Sequence, residues 1–350
     1  MREPLSRWRP PSDLLGAVLS LVGAFAVGAA LLAAVGINPI DAYGELFEAA
    51  LGSRNGLAET LLRAIPLSLC GIGIALSFRA GVFNVGAEGQ LYLGGIAAAF
   101  VGGAATGWPA IFVLPAMAAA AALAGGLWSA LAGWLKLKFR ADELITTIML
   151  NYVAIYFVAY LLHGPLKDPN SVLAQTPRLP DVARLPLLLA GSRLHAGIGL
   201  AVASAILAHL FLWRRTNGFR LRVVGLNPRA AENAGLPVRG MIALSFVLCG
   251  ALSGLAGFAE VSGVQRRMIE NLSPGYGYTA IMVALLGATN PLVVFVAAIF
   301  FAALQIGATT MESAVGAPSA LTTIIQALVV LFLLARSTAT LWFARAGRAT

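Results

Sequence analysis

Long uninterrupted apolar runs are the feature that most constrains how this chain can fold. The first, residues 14–36, contains no charged side chain and is long enough for an α-helix to cross the apolar core of a bilayer. It is also longer than the apolar core of a cleaved signal peptide, so we expect it to stay in the protein. Such runs recur along all 350 residues, and only 11% of the residues are charged, against roughly 25% in a soluble domain. The pattern predicts an all-α, polytopic membrane protein.

The apolar runs predict about ten transmembrane helices of roughly 20 residues each. Their approximate extents are residues 14–36, 64–78, 91–103, 110–135, 144–162, 196–213, 241–260, 278–288, 291–309 and 321–343. The basic stretch before the first run favours a cytoplasmic N-terminus, and an even number of crossings places the C-terminus on the same side. In this orientation about twice as many Lys and Arg residues lie inside as outside, which explains the net charge of +9 without a nucleic-acid partner.

The connections between the runs predict how the chain is organised. Residues 43–51 are partly amphipathic and fit an outer-surface helix, residues 163–195 are rich in proline and fit an irregular outer loop, and residues 214–240 form a short basic cytoplasmic loop. Five spans in each half would give the two halves opposite orientations. We therefore expect two inverted five-helix halves within a single transmembrane domain covering residues 1–350.

Two glycine-rich interruptions fall at matching places in the predicted halves, within residues 81–95 and 272–280. Irregular backbone at membrane depth must be shielded by protein or line a water-filled path. The first interruption carries Asn84, Glu88 and Gln90. An ionisable group at such a depth is a functional candidate, but Asn84 or Glu88 could equally cap a helix N-terminus. Both roles remain open for Glu88.

Several kinds of chemistry have no residues to support them. None of the three lysines follows a glycine, so the chain has no P-loop for ATP. The three histidines lack the spacing of metal ligands, and Cys70 and Cys249 lie far apart in apolar runs, as buried hydrophobic residues do. No nucleophile with a neighbouring base is visible. We expect no catalytic residues, no metal site and no cofactor bound by this chain.

A short helix is specified inside the basic loop. Asn227 is a favourable N-cap, Pro228 suits the first helical position, and Gly235 suits the position just after the helix. A helix of about two turns is marginal in water, so it must pack against another surface. A partner protein could supply that surface; a capped surface helix without a partner is the alternative.

Three stretches of the sequence resemble permease subunits of bacterial ATP-binding-cassette (ABC) importers for nucleosides and simple sugars. They are G-V-F-N-V-G-A-E-G-Q-L-Y-L-G-G (81–95), A-D-E-L-I-T-T-I-M-L-N-Y (141–152) and Y-G-Y-T-A-I-M-V-A-L-L-G (276–287). The resemblance to this branched-chain amino acid and ribose type of permease covers nearly all of the chain after the first span. It implies that the translocation path or its wall includes Asn84, Glu88, Gln90, Asn151, Tyr276 and Tyr278.

The same resemblance implies a set of partners. Permeases of this kind dock a coupling helix into a separate ATPase subunit, which binds ATP and Mg²⁺. The residues that would contact the ATPase here are Asn227, Arg229, Ala230, Glu232, Asn233 and Gly235. A second permease subunit would complete the pathway, in a heterodimer or a symmetric pair, and an external binding protein would deliver the solute.

The expected function is therefore translocation of a nucleoside, or a simple sugar, across the bacterial cytoplasmic (inner) membrane. A secondary transporter driven by an ion gradient is the alternative. Such transporters usually carry ionisable groups near the midplane of several helices. Glu88 is the only acidic residue in the interrupted core, which disfavours ion coupling.

Overall fold

A computed structural model describes residues 10–105, 107–316, 318, 320–329 and 331–332. Within these residues the regular structure is helical apart from two isolated β-bridges, so the predicted all-α class is confirmed. The helices are α1 (Pro10–Ala34), α2 (Pro39–Phe47), α3 (Arg54–Arg79), α4 (Ala87–Ala104), α5 (Ala110–Phe139), α6 (Glu143–His163), α7 (Gly197–Arg214), α8 (Thr216–Leu226), α9 (Pro228–Asn233), α10 (Val238–Ala259), α11 (Tyr276–Leu286), α12 (Pro291–Val315) and α13 (Ala320–Val329).

Six of the described helices are long and apolar enough to cross a membrane, namely α3, α5, α6, α7, α10 and α12. The protein is therefore a multi-pass membrane protein. Each of the ten predicted spans contains a helix, but α1, α4, α11 and α13 do not meet both criteria over the described residues. The number of crossings, the inverted halves and the single domain stay predictions. The basic residues at both ends, on which the cytoplasmic placement of the termini depends, lie outside the described residues.

The first of two compact units comprises Met1–Thr60 and Phe300–Thr350. In its described part, α1, α2 and α12 enclose a core of apolar side chains: Leu32, Ala42, Leu46, Leu304 and Met311. The Tyr43 hydroxyl donates a hydrogen bond to the backbone oxygen of Phe25 at 2.8 Å, which ties α2 to α1.

The predicted surface helix over residues 43–51 begins earlier than expected. The Asn38 side chain accepts the N–H of Ile40, and Pro39 occupies the first helical position, so the helix begins at Pro39. It ends in a π-helical turn, Glu48–Gly52.

The second unit, Leu61–Ile299, is built around α4. This helix is buried along most of its length and packs against α5, α6, α10 and α11. A Cβ atom at Gly94 would collide with the backbone of Gly254 on α10. Small residues at such crossings allow two helix backbones to approach closely, which is a common way to pack helices in a membrane.

The predicted irregular loop over residues 163–195 is confirmed as irregular, with one short 3₁₀ turn at Asp181–Ala183. Its backbone pairs with the segment that follows α10. The N–H of Leu179 donates to the oxygen of Arg266 at 2.8 Å, and the N–H of Leu185 donates to the oxygen of Ser262 at 3.1 Å. That segment includes a π-helical turn, Glu260–Gln265, which the sequence did not predict.

The basic loop over residues 214–240 contains more structure than predicted. In addition to the expected short helix α9, it holds α8, which has eleven residues and follows α7 almost directly. Residues of α8, α9 and α10 share a small core that includes Val224, Ala231 and Met241. The short helix is therefore held by packing, as its length requires.

Candidate functional site

The two glycine-rich interruptions meet inside the second unit, and the side chains predicted for the path lie around their meeting point. Residues 80–86 separate α3 from α4, and Gly275 is the N-cap of α11. We call this place the α4–α11 junction, formed by residues 84–92, Asn151 and residues 273–278.

Glu88 connects the two helices directly. It lies in the first turn of α4, is 3% exposed, and its Oε2 accepts the N–H of Gly277 in the first turn of α11 at 2.7 Å. A carboxylate is stabilised near a helix N-terminus by the free N–H groups and by the helix dipole, and Glu88 lies near two such ends.

Gly277 is required by the closeness of this contact. A Cβ atom at this position would collide with the backbone of Ala87 and Glu88. Ser273 shapes the same turn, because its Oγ accepts the N–H groups of Gly275 at 3.1 Å and Tyr276 at 2.9 Å. The turn before α11 is thus held by the side chain of Ser273 within the turn and by the contact with Glu88 of α4.

Asn151 on α6 supplies the cap that α4 lacks. The N-cap position of α4 is Gly86, which has no side chain to accept an N–H. The Oδ1 of Asn151 accepts the N–H of Gly89 at 2.9 Å, and its Nδ2 donates to the oxygen of Val85 at 2.9 Å. A fully buried amide therefore satisfies one donor and one acceptor of the interrupted backbone.

Asn84 and Gln90 form a second polar group, between the start of α4 and α5. The Oδ1 of Asn84 accepts the N–H of Gly86 at 2.9 Å, and its Nδ2 donates to Ser129 on α5 at 3.0 Å. The Nε2 of Gln90 donates to Asn84 at 3.3 Å. Both side chains are buried, and the Oε1 of Gln90 has no hydrogen-bond partner among the described residues.

The two predicted tyrosines have different environments. Tyr276 is buried, whereas Tyr278 is 37% exposed. The hydroxyl of Tyr278 lies 3.5 Å from the Nδ2 of Asn151. The structure thus brings Glu88, Asn151 and both tyrosines together at one junction, with Asn84 and Gln90 on its α5 side.

Three polar residues that belong to the junction or contact it were not predicted as site residues. Thr147 accepts the N–H of Val85 at 3.2 Å, and Ser129 and Ser273 make the contacts given above. A serine before Pro-Gly is a turn signal that could have found Ser273. Ser129 is a lone hydroxyl in an apolar helix, and its sequence context gives no signal. The spacing of Thr147 and Asn151 places both on one face of α6, which was a usable signal.

The polar groups of the junction are suited either to holding the helix ends in place or to lining a path for a polar solute. It presents amides, hydroxyls and one carboxylate, most of them already engaged with backbone groups of another helix. In the chain as far as it is described, no group of three or more His, Cys, Asp or Glu side chains is placed to hold a metal ion.

The predicted capping of α9 is confirmed. The Oδ1 of Asn227 accepts the N–H groups of Arg229 and Ala230, both at 3.1 Å, and Pro228 occupies the first helical position. Gly235 has φ +74, and the N–H of the next residue, Leu236, donates to the oxygen of Ala231 at 3.0 Å. This is the left-handed helix ending that favours glycine.

One face of α9 is exposed in the part of the chain that the structure describes. Ala231 is buried in the core shared with α8 and α10. The six residues predicted to contact an ATPase are all exposed, namely Asn227, Arg229, Ala230, Glu232, Asn233 and Gly235. The helix is therefore anchored on one side and presents charged and amide side chains on the other.

Comparison with known proteins identifies the family. The family described as "Branched-chain amino acid transport system / permease component" matches residues 56–334. The chain belongs to this permease family. It is 40% identical to a glucose ABC transporter permease protein of Haloferax volcanii, over 91% of this chain and 86% of that protein.

Two further relatives come from Bacillus subtilis, and both are guanosine ABC transporter permease proteins. The first is 36% identical over 92% of this chain and 93% of the relative. The second is a different protein, 30% identical over 69% of this chain and 78% of the relative. This permease family member is thus an ABC transport subunit without an ATPase of its own, and a separate subunit hydrolyses ATP.

Proposed function

We propose that this protein is the permease subunit of an ABC importer that translocates a nucleoside, or a simple sugar, delivered by an external binding protein. The observation that carries this proposal is the similarity, over about nine tenths of the chain, to ABC permeases named for guanosine and for glucose. We place the importer in the bacterial cytoplasmic (inner) membrane, where binding proteins deliver solutes from the outer side.

The chemistry of the junction supports a neutral, hydroxyl-bearing solute. Its amide and hydroxyl groups can donate and accept hydrogen bonds without a net charge on the solute. No Lys or Arg belongs to the junction as it is defined above, so an anionic solute would find no counter-charge there. We favour a nucleoside because two of the three relatives compared above are named for guanosine.

The junction would act as the braced wall of the translocation path. Glu88, Asn84 and Asn151 would hold the broken ends of α4 and α11, since they satisfy backbone groups that would otherwise be unpaired in an apolar surrounding. Tyr278, which is partly exposed, keeps hydrogen-bonding capacity for a passing solute, and the buried Gln90 would brace the wall through Asn84. Tyr276 would fill the wall behind them.

Three kinds of partner follow from this function. The exposed face of α9 would dock into an ABC ATPase, which carries the ATP and Mg²⁺. A second, different permease would complete the membrane part, and the presence of two different guanosine permease proteins in B. subtilis supports a heterodimer. The binding protein would contact the outer side.

Uptake of labelled solute tests the proposal. Cells without their own nucleoside uptake would express this chain with the ATPase, second permease and binding protein encoded beside it. We expect uptake of labelled guanosine, competed by unlabelled nucleosides and less by glucose. Preferred uptake of glucose would select the sugar alternative, and absence of uptake of both solutes would contradict the proposal.

Two matched treatments separate ABC transport from the secondary-transport alternative. A variant of the partner ATPase that lacks its P-loop lysine should abolish uptake, because that lysine contacts the β- and γ-phosphates of ATP. A protonophore that leaves cellular ATP intact should not abolish uptake. The reverse pattern would indicate transport driven by an ion gradient.

A further inference from the structure

Two arginines lie against one tryptophan where three helices come together. Arg79 is the last residue of α3, Trp213 is near the end of α7, and Arg222 belongs to α8. The guanidinium carbons of Arg79 and Arg222 lie 5.6 Å and 5.7 Å from the centroid of the Trp213 ring. His209 stacks on the same ring at 4.6 Å. We call Arg79, Trp213 and Arg222 the arginine cluster.

Within the described residues, the positive charge of the cluster is not balanced by a carboxylate. Neither arginine pairs with a carboxylate in the described residues. Arg79 donates to the backbone oxygens of Thr289 and Ala288, both at 3.3 Å, and these oxygens carry no net charge. Among the residues that the structure describes, the buried Nε of Arg222 has no acceptor, and the two guanidinium groups repel each other. Half-buried like charges without a counter-ion are unfavourable unless a ligand supplies one.

The position of the cluster indicates the kind of counter-ion. It lies at the ends of α3 and α7, two helices apolar and long enough to cross the membrane, and tryptophan and arginine at helix ends mark the membrane surface. It also lies on the side that the sequence predicts to be cytoplasmic, where Lys and Arg are concentrated. Beside it, α7 exposes large apolar side chains that acyl chains could cover: Val202, Ile206, Leu207 and Leu210.

We propose that the arginine cluster binds the phosphodiester group of an anionic phospholipid. A planar guanidinium matches the spacing of two phosphate oxygens and can donate two parallel hydrogen bonds. One phosphodiester would neutralise one of the two charges and relieve their repulsion, while its acyl chains lie along the exposed face of α7. The site is separate from the α4–α11 junction and needs no transport to operate.

Native mass spectrometry of the purified full-length chain tests this site. The protein would be exchanged into mixed micelles with equal amounts of phosphatidylglycerol and phosphatidylcholine, which share a phosphodiester but differ in net charge. We expect retained lipid to be mainly phosphatidylglycerol. Arg222→Gln should lower this retention by about fivefold, the effect of roughly one basic residue at an anionic membrane surface.

Arg220→Gln is the matched control, because it removes the same charge from the same helix and Arg220 is outside the cluster, bonded to Asn217. It should retain phosphatidylglycerol as the unmodified chain does. Equal losses in both variants, or equal retention of the two lipids by the unmodified chain, would overturn the proposal.

A second arm identifies the source of the phosphate. Millimolar glycerophosphoglycerol, which has the phosphodiester of phosphatidylglycerol without its acyl chains, should not displace the retained lipid. If it does displace it, the cluster is a site for soluble phosphate compounds and the lipid assignment is wrong.

Discussion

At the residue scale, Glu88 is the side chain whose role the geometry constrains most. Its carboxylate accepts the Gly277 N–H and is almost completely buried. Glu88→Ala would leave that donor unpaired, which costs about 1–3 kcal/mol, whereas Glu88→Gln keeps an oxygen in reach. We expect the alanine variant to unfold at lower temperature in detergent and to assemble poorly, and the glutamine variant to remain close to the unmodified protein.

The same pair of variants separates a bracing role from a role in the path. If Glu88 braces the wall, uptake by Glu88→Gln should stay near that of the unmodified importer. Full assembly and normal thermal stability of both variants, together with reduced uptake, would instead place the carboxylate in contact with the solute.

His195 gives a prediction about pH. It lies in the loop before α7, is 1% exposed, and its Nδ1 accepts the N–H of Gly197 at 3.1 Å. Burial lowers the pKa of His195 from 6.5 to about 4. The unfolded chain therefore binds a proton more readily than the folded one between these values, and stability should fall as pH decreases from about 6.5 towards 4, by at most about 3 kcal/mol.

His195→Asn keeps a hydrogen-bond acceptor near Gly197 but cannot be protonated. We expect thermal unfolding of this variant to depend less on pH between 7 and 5 than that of the unmodified protein. His163→Asn is the control, because His163 is largely exposed at the end of α6. An identical pH dependence in the unmodified protein and in His195→Asn would contradict the prediction.

At the element scale, the capping residues of α9 predicted its bounds, whereas the earlier start of α2 and the whole of α8 were not predicted. The bounds of α9 follow from Asn227, Pro228 and Gly235, because caps act within a few residues. The helix α8 has no side-chain cap that marks its start, and basic and apolar residues are mixed along it. The π-helical turn Glu260–Gln265 pairs with a distant loop, and a single sequence does not reveal such pairing.

For the junction, too, the sequence predicted which residues belong to it but not the contacts between its helices. The glycine-rich breaks and their polar residues were visible in the sequence, and this predicted that Asn84, Glu88 and Gln90 would lie together. That Glu88 meets Gly277, and that Asn151 caps α4, depends on how the helices pack. Pattern and composition located the elements of the site, but only the packing of α4 between its neighbours determines which donor meets which acceptor.

The coupling role of α9 can be tested by exchanging its charges. Arg229→Glu with Glu232→Arg keeps the net charge and moves the acidic group to the start of the helix, where the dipole favours it. The helix itself should therefore remain stable. We expect the double variant to co-purify poorly with the partner ATPase and to lose most substrate-stimulated ATP hydrolysis.

Arg229→Lys with Glu232→Asp is the control, since it alters both side chains and preserves both charges. It should keep most of the binding. Unchanged co-purification and ATP hydrolysis in the charge-exchanged variant would remove α9 from the contact with the ATPase.

At the scale of the whole molecule, six of the described helices are long and apolar enough to cross a membrane, and the sequence could predict this because apolar length is a local property of each helix. The relation between the predicted halves is not a local property of any one helix. It depends on the total number of crossings and on both termini, whose residues lie outside the described part of the chain. The sequence supports an inverted repeat through the count of five predicted spans in each half and through the matching positions of the two glycine-rich breaks.

The composition of the assembled membrane part is the last prediction. Bacillus subtilis has two different guanosine permease proteins, and this chain is 36% identical to one and 30% identical to the other. If two different permeases form a heterodimer in such importers, a chain that is more similar to one of the two should take the place of that one subunit. We expect native mass measurement of the complex, isolated through a tag on this chain, to give one copy of it together with one copy of a second permease. A tagged and an untagged copy of this chain, expressed together, should then not co-purify. Two copies of this chain in one complex would show a symmetric pair instead.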